Sequence, residues 1–325
     1  MLAPALALAA AVLMSPAAAF DLQGHRGARG LAPENTLLAF ARALSIGVTT
    51  LEMDAGLTRD GVVVIIHDRR LNPDIARGPG GRWLTGRPPL VRDLTLRELQ
   101  RFDVGRIRPG TDYSRRFPDQ RREDGVRIPT LAEVFELTRR ARNTEVRFNV
   151  ETKLSPEAPD EAAPPEEFAR ALIAVVREHG MAARTMIQSF DWRTLAIVQK
   201  EAPEIATSYL SSEQAGSDNI LAGRPEDSPW TAGIKYGAHG SVPRMVAAAG
   251  GRVWSPNYLD LDPARVKEAK ALGLKILPWT VNDRADMARL IDWGVDGIIT
   301  DYPDRLREVM AQKGLPLPRP TPVTP

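Results

Sequence analysis

The chain has 325 residues, 43% hydrophobic and 26% charged, with a net charge of +2 and no cysteine. This apolar content can fill a sizeable core, which excludes whole-chain disorder, and the length suits one large α/β domain of the kind that occupies ~250 residues. Disulfides and thiolate metal sites are excluded, and arginines scattered among acids form no stripe for nucleic acid, so a nucleic-acid partner is not expected.

Residues 1–19, MLAPALALAAAVLMSPAAA, form a short apolar run ending in small residues. This pattern predicts a cleaved secretory signal, a mature protein starting near Phe20, and a periplasmic or secreted location. An uncleaved membrane anchor or a mis-chosen start codon is the competing reading, since no Lys or Arg precedes the run. No other segment approaches the ~20 continuous apolar residues of a membrane helix, so no stable membrane insertion is expected after cleavage.

From Phe20 onward, β-like runs alternate with amphipathic helical stretches, the pattern of a parallel α/β architecture. Strands are predicted at 20–24, 49–54, 62–67, 146–151, 185–189, 205–210, 252–255, 275–279 and 297–300. The turn Thr58-Arg59-Asp60-Gly61 is too short for a crossover helix, so 62–67 should return as an antiparallel arm. Eight parallel strands remain, enough for a TIM (β/α)8 barrel over 20–312. Helical spacing places helices at 35–45, 131–140, 166–179, 263–272 and 284–293. An open doubly wound sheet is the alternative, but His25-Arg26-Gly27-Ala28-Arg29-Gly30 has the wrong spacing for a dinucleotide-binding turn.

Residues 69–127, rich in Gly, Pro and Arg, carry one predicted helix at 95–101 and read as a lobe inserted after the second strand and its hairpin arm. Residues 155–167 read as a solvated acidic loop. The Pro-rich segment 313–325 reads as a flexible tail.

Chemistry-bearing residues gather where strands end, the face on which such barrels carry their active sites. Glu52 and Asp54 lie two apart on one strand and share a face. Like charges buried together are costly without a cation, and Glu151 at another strand end adds a third carboxylate, a set suited to one divalent cation, Ca²⁺ or Mg²⁺. Salt bridges to arginine, or Zn²⁺ held by His25 and His67, are the competing readings. Arg26 offers a fork for phosphate oxygens and Lys153 a point charge. Histidine's ordinary value lies close to neutrality, so His25 and His67 are expected to serve as base and acid. His179 and His239 lack such company and read as structural or surface residues.

With these residues in view, the chain resembles the glycerophosphodiester phosphodiesterases. His25-Arg26-Gly27 through Pro33-Glu34-Asn35-Thr36 matches that family's opening motif. Glu52-Met53-Asp54, His67-Asp68, Glu151-Thr152-Lys153, Gln188-Ser189-Phe190, Trp279-Thr280-Val281-Asn282 and the 297–303 segment follow in order. The long stretch after His67 is similar to the larger secreted or periplasmic members. The resemblance implies a TIM barrel that hydrolyses small-molecule glycerophosphodiesters to glycerol 3-phosphate and an alcohol. It implies Glu52, Asp54 and Glu151 as metal ligands, His25 and His67 as proton carriers, and Arg26 and Lys153 on the phosphate. Trp279 would form part of the glycerol pocket wall. A lysophospholipase D-like phosphodiesterase on the same barrel and a non-catalytic phosphate-ligand binding protein are the rival readings. Which histidine is base, and whether water or a neighbouring hydroxyl attacks first, stay open.

Overall fold

The computed structural model describes residues 19–325; the predicted signal at 1–19 falls almost entirely outside the described residues. Nine strands form one sheet: β1 (Asp21–Gly24), β2 (Thr50–Leu57), β3 (Val63–Ile65), β4 (Arg147–Thr152), β5 (Thr185–Ser189), β6 (Ala206–Ser211), β7 (Val253–Pro256), β8 (Lys275–Ile276) and β9 (Gly297–Thr300). Eight of them run parallel in the order β8-β7-β6-β5-β4-β2-β1-β9. The gap between β8 and β9 is bridged by backbone bonds from Asp296 to Ile276 and from Ile299 to Pro278, both 3.0 Å. The result is a nearly closed barrel. β3 pairs antiparallel with β2, Ala55 opposite Ile65, as the short turn at 58–61 requires.

The helices are α1 (Leu37–Ile46), α2 (Leu96–Leu99), α3 (Asp112–Arg116), α4 (Leu131–Arg140), α5 (Pro165–Glu178), α6 (Trp192–Glu201), α7 (Tyr236–His239), α8 (Val242–Ala248), α9 (Pro263–Ala271), α10 (Arg284–Trp293) and α11 (Pro303–Gln312). Local signals start them: Thr36 accepts the Ala39 N–H at the start of α1, and Thr130 with Glu133 closes a capping box on α4. α6, α8 and α11 go unpredicted by sequence periodicity. They begin at Asp191, at Ser241 and at Pro303, where cap or first-turn residues mark the start better than the hydrophobic pattern does.

Barrel strands and the inner faces of the helices make one large core, with Trp192, Trp254 and Phe148 fully buried. The inserted lobe has a smaller core of its own, in which Leu71, Val91, Leu99 and Val104 pack on Val64 and Ile66 of the arm. It holds two helices, α2 and α3, where the sequence predicts one. The Pro-rich tail, read as flexible from composition, has no helix or strand but is tied to the barrel: Thr321 N–H donates to Leu44 O at 2.8 Å, and Arg307 reaches Pro318 O at 2.6 Å. Among the described residues no helix is long and apolar enough to cross a membrane.

Candidate active site

The first strand end is built around backbone geometry that few residues tolerate. Gly27 has φ of +84°, and a Cβ there would lie 2.6 Å from the Ala39 carbonyl carbon. Only glycine lets the chain turn so close to α1. Arg26 and Asn35 also adopt positive φ, +50° and +55°. Their neighbours fix them: Asn35 N–H donates to Arg26 O at 3.1 Å, and the Asn35 amide donates to Asp54 Oδ2 at 2.8 Å.

The parallel register then sets three carboxylates together. Asp54 on β2 stands opposite Glu151 on β4, and Glu52 lies two residues before Asp54 on the same face. One oxygen from each lies within 4.8 Å of the other two, and all three residues are buried. Arg26 N–H donates to Glu52 Oε2 at 2.8 Å, and the Gln188 amide donates to Glu52 Oε1 at 2.7 Å.

Two cations border the group. Lys153 Nζ lies 2.7 Å from Glu151 Oε1 and 3.7 Å from Asp54 Oδ1. Arg26 Nη1 donates to Glu34 Oε1 at 2.7 Å, and its Nε lies 3.2 Å from Asp54 Oδ2. Salt bridging to arginine therefore does occur. It does not balance the cluster, because among the described residues the four buried carboxylates, Glu34 included, have only Arg26 and Lys153 as Arg or Lys in direct ion-pair contact. Asp54 Oδ1 is moreover buried without a hydrogen-bond partner. An unsatisfied carboxylate oxygen is costly, and oxygen donors of this kind suit a hard divalent cation.

The charges divide unevenly over the three acids. Burial first, and the nearby Asp54 charge second, push Glu52 well above the usual carboxylate range. Burial pushes Glu151 up to about 7, with Lys153 opposing and Asp54 adding. Burial acts the same way on Asp54, but Arg26, His67 and Lys153 outweigh it and hold that carboxyl well below its ordinary value. Near neutral pH the metal-free cluster thus keeps a proton that a bound cation would displace.

Each histidine is held by a carboxylate at Nδ1. His25 Nδ1 lies 2.6 Å from Asp301 Oδ1, while its Nε2 faces Glu52 at 3.9 Å. Asp301 is in turn gripped by Arg29 (2.7 and 3.0 Å) and by the Asn282 amide (2.7 Å). His67 Nδ1 lies 2.7 Å from Asp68 Oδ1, and Asn72 donates to the other Asp68 oxygen at 2.8 Å. Burial is the largest cause that lowers both imidazoles, His25 to about 4 with Arg29 adding, His67 to about 3 with Arg26 and Lys153 adding. The His25 side chain is 11% exposed and that of His67 30%, so His67 is the more open to solvent.

Most of the residues singled out in the sequence therefore converge: His25, Arg26, Glu52, Asp54, Glu151 and Lys153 are joined by direct contacts, with His67 on the neighbouring arm. Trp279, just beyond β8, is half-buried; its indole N–H donates to Ser255 O at 2.9 Å and its ring meets Phe190 edge-on at 5.3 Å. His179 contacts Arg139 on the outer helices and His239 ends α7, both away from the cluster. Sequence motifs alone assign no role to Asp301, Arg29, Glu34 or Tyr113. Asp301 directly follows β9, where the strand-end rule points. Tyr113 had no signal, since it belongs to the lobe and reaches Glu34 only through the fold.

The Glycerophosphoryl diester phosphodiesterase family matches residues 25–305. A glycerophosphodiester phosphodiesterase of Caldanaerobacter subterraneus subsp. tengcongensis is 32% identical over 294 residues, spanning 89% of this chain and 97% of that protein. A crystal structure from Silicibacter pomeroyi DSS-3 bearing the same family name superposes with a TM-score of 0.81 at 39% identity, covering 93% of this chain and 96% of the other. An Oleispira antarctica phosphodiesterase, solved in complex with its product sn-glycerol-3-phosphate, shares the fold at a TM-score of 0.64 and 23% identity, covering 89% and 96%.

Proposed function

The chain belongs to the glycerophosphoryl diester phosphodiesterase family, and from that membership we propose that it hydrolyses glycerophosphodiesters to glycerol 3-phosphate and an alcohol with the help of one divalent cation, Ca²⁺ or Mg²⁺. The observation that carries the cation is the buried Glu52, Asp54 and Glu151 group, in which Asp54 Oδ1 has no hydrogen-bond donor. These three side chains would hold the ion, which supplies Lewis-acid polarisation of the phosphate when bound.

The remaining chemistry belongs to side chains. Arg26 and Lys153 flank the carboxylates and would hold the non-bridging phosphate oxygens, Arg26 by its fork and Lys153 as a point charge. Asp301 fixes the His25 ring with Nδ1 turned away and Nε2 free to accept a proton from the nucleophile. That nucleophile is water or the neighbouring glycerol hydroxyl. His67 would donate a proton to the departing alkoxide as the phosphorus–oxygen bond breaks. Neutral in the free protein, it gains that proton when the diester's negative charge lies beside it, and Asp68 stabilises the imidazolium. Its greater exposure supports this assignment, because the alcohol must leave to solvent. Trp279 would line the glycerol side, backed by Phe190.

The apolar run at 1–19 supports export and work in the periplasm or outside the cell. The test of the activity is direct: mature protein is incubated with glycerophosphocholine, and glycerol 3-phosphate and choline are assayed. Equimolar release of both is expected. Release of phosphocholine and glycerol instead, or of nothing, would refute the reading.

A further inference from the structure

A cleft of about 460 Å³ opens beside the carboxylates and runs out over the loops that follow β4, β5 and β6. Its inner end is Glu151 and Lys153, its edge reaches Arg69, two residues beyond His67, and its outer walls include Phe190 and Trp230. Trp279 is not among the residues lining it. Phe190 stands between the two, its ring edge-on to Trp279. A diester phosphate placed at Lys153 would therefore have one substituent on the Trp279 side and the other in this cleft, next to the arm that carries His67.

The charges in the cleft are selective. Arg69 shares the Glu161 carboxylate with Arg70, at 3.2 and 3.3 Å, at the cleft's edge, and Arg224 faces Glu226 at 3.9 Å. Glu157 has no Lys or Arg partner among the described residues; it accepts the Trp230 indole N–H at 3.3 Å, which turns its charge toward the aromatic wall. Among the described residues Asp218 binds only backbone N–H groups, those of Ile220 and Leu221, both at 2.9 Å. Two aromatic side chains together with two carboxylates lacking cationic partners form a surface that attracts a positive charge and disfavours a negative one.

We infer that this cleft is the leaving-alcohol subsite and that Trp230 and Glu157 select alcohols carrying a positively charged nitrogen. The inference rests on the hydrolase reading above and adds to it a discrimination among leaving groups. Cation–π contact with a partly exposed ring is a modest effect, so a preference of about tenfold in kcat/KM is expected, not an absolute choice.

The test compares three substrates, glycerophosphocholine, glycerophosphoglycerol and glycerophosphoserine, in the wild type and in Trp230→Leu and Glu157→Gln. The wild type should favour the choline diester over the glycerol diester by about tenfold, with the serine diester, whose alcohol also bears a carboxylate, no better than neutral. Each substitution should narrow the choline-to-glycerol ratio to within about twofold, by raising KM for the choline diester. Equal rates on all three diesters in the wild type, or an unchanged ratio in both variants, would overturn the subsite while leaving the hydrolase intact. Absence of glycerol 3-phosphate from every diester would overturn both.

Discussion

Asp301 Oδ1 lies 2.6 Å from His25 Nδ1 although 276 residues separate them in sequence. Parallel pairing of β1 with β9, Gly24 opposite Thr300, brings the two strand ends side by side. Arg29 and Asn282 use up the remaining capacity of the carboxylate, so the His25 ring has one tautomer and one orientation. Asp301→Asn should lower kcat on the order of a hundredfold with KM within about twofold, since what is lost is proton acceptance and not substrate contact. Steady-state kinetics on glycerophosphocholine measures this, and a change confined to KM would contradict it.

If His67 protonates the leaving oxygen, its removal matters only when that oxygen needs a proton. His67→Ala should slow hydrolysis of glycerophosphocholine on the order of a hundredfold, but slow that of a glycerol p-nitrophenyl diester by less than about tenfold. The equivalent His25→Ala substitution should impair both substrates alike. Equal losses on both substrates in His67→Ala would reassign that residue.

Cation binding must displace protons from Glu52 and Glu151, which burial raises above the ordinary carboxylate range. Calorimetric titration with Ca²⁺ or Mg²⁺ in two buffers of different ionisation enthalpy should therefore report proton release that grows as pH falls below about 7. Asp54→Asn should abolish the binding heat. Binding without proton release would contradict the protonation state assigned to this cluster.

The two buried histidines should each weaken the metal-free fold in acid. Because the folded chain lowers His25 from 6.5 to about 4, the unfolded chain takes up a proton first as pH falls, and stability declines between those two values. The loss from His25 is on the order of 3 kcal/mol, at 1.36 kcal/mol per pKa unit. His67 acts with the same sign over a window reaching about 3, and its greater exposure weakens its share. Asp301, held below its ordinary value by Arg29 and His25 against the effect of burial, adds stability that disappears only below its unfolded value of 3.8. Glu52 and Glu151, raised above their unfolded values, take up protons first in the folded chain and act with the opposite sign over much of the same window. The His25 contribution is therefore read as a difference: the urea unfolding midpoint of chelated wild type relative to that of His25→Gln should fall as pH drops from 6.5 toward 4.

The barrel was legible because its strands are short apolar runs ending in charged residues, and because Thr58 to Gly61 leaves no room for a crossover. β5 and β9 lie where periodicity puts them. The helices after β5, β6 and β9 were less legible, since their starts depend on caps more than on apolar spacing. In the site, Glu52 and Asp54 could be read as a pair from strand alternation alone. Their register with Glu151 could not, because it depends on how β2 and β4 align across the lobe. The grip of Tyr113 on Glu34, and through it on Arg26, is likewise a product of tertiary packing.

The central claim is that a divalent ion on Glu52, Asp54 and Glu151 is needed to turn over a glycerophosphodiester. Glycerol 3-phosphate release from glycerophosphocholine, followed after dialysis against a chelator and again after adding Ca²⁺ or Mg²⁺, tests it most directly. Loss of activity on chelation, recovery with one of the two ions, and no recovery in Asp54→Asn are expected. Undiminished release from thoroughly chelated protein would contradict it.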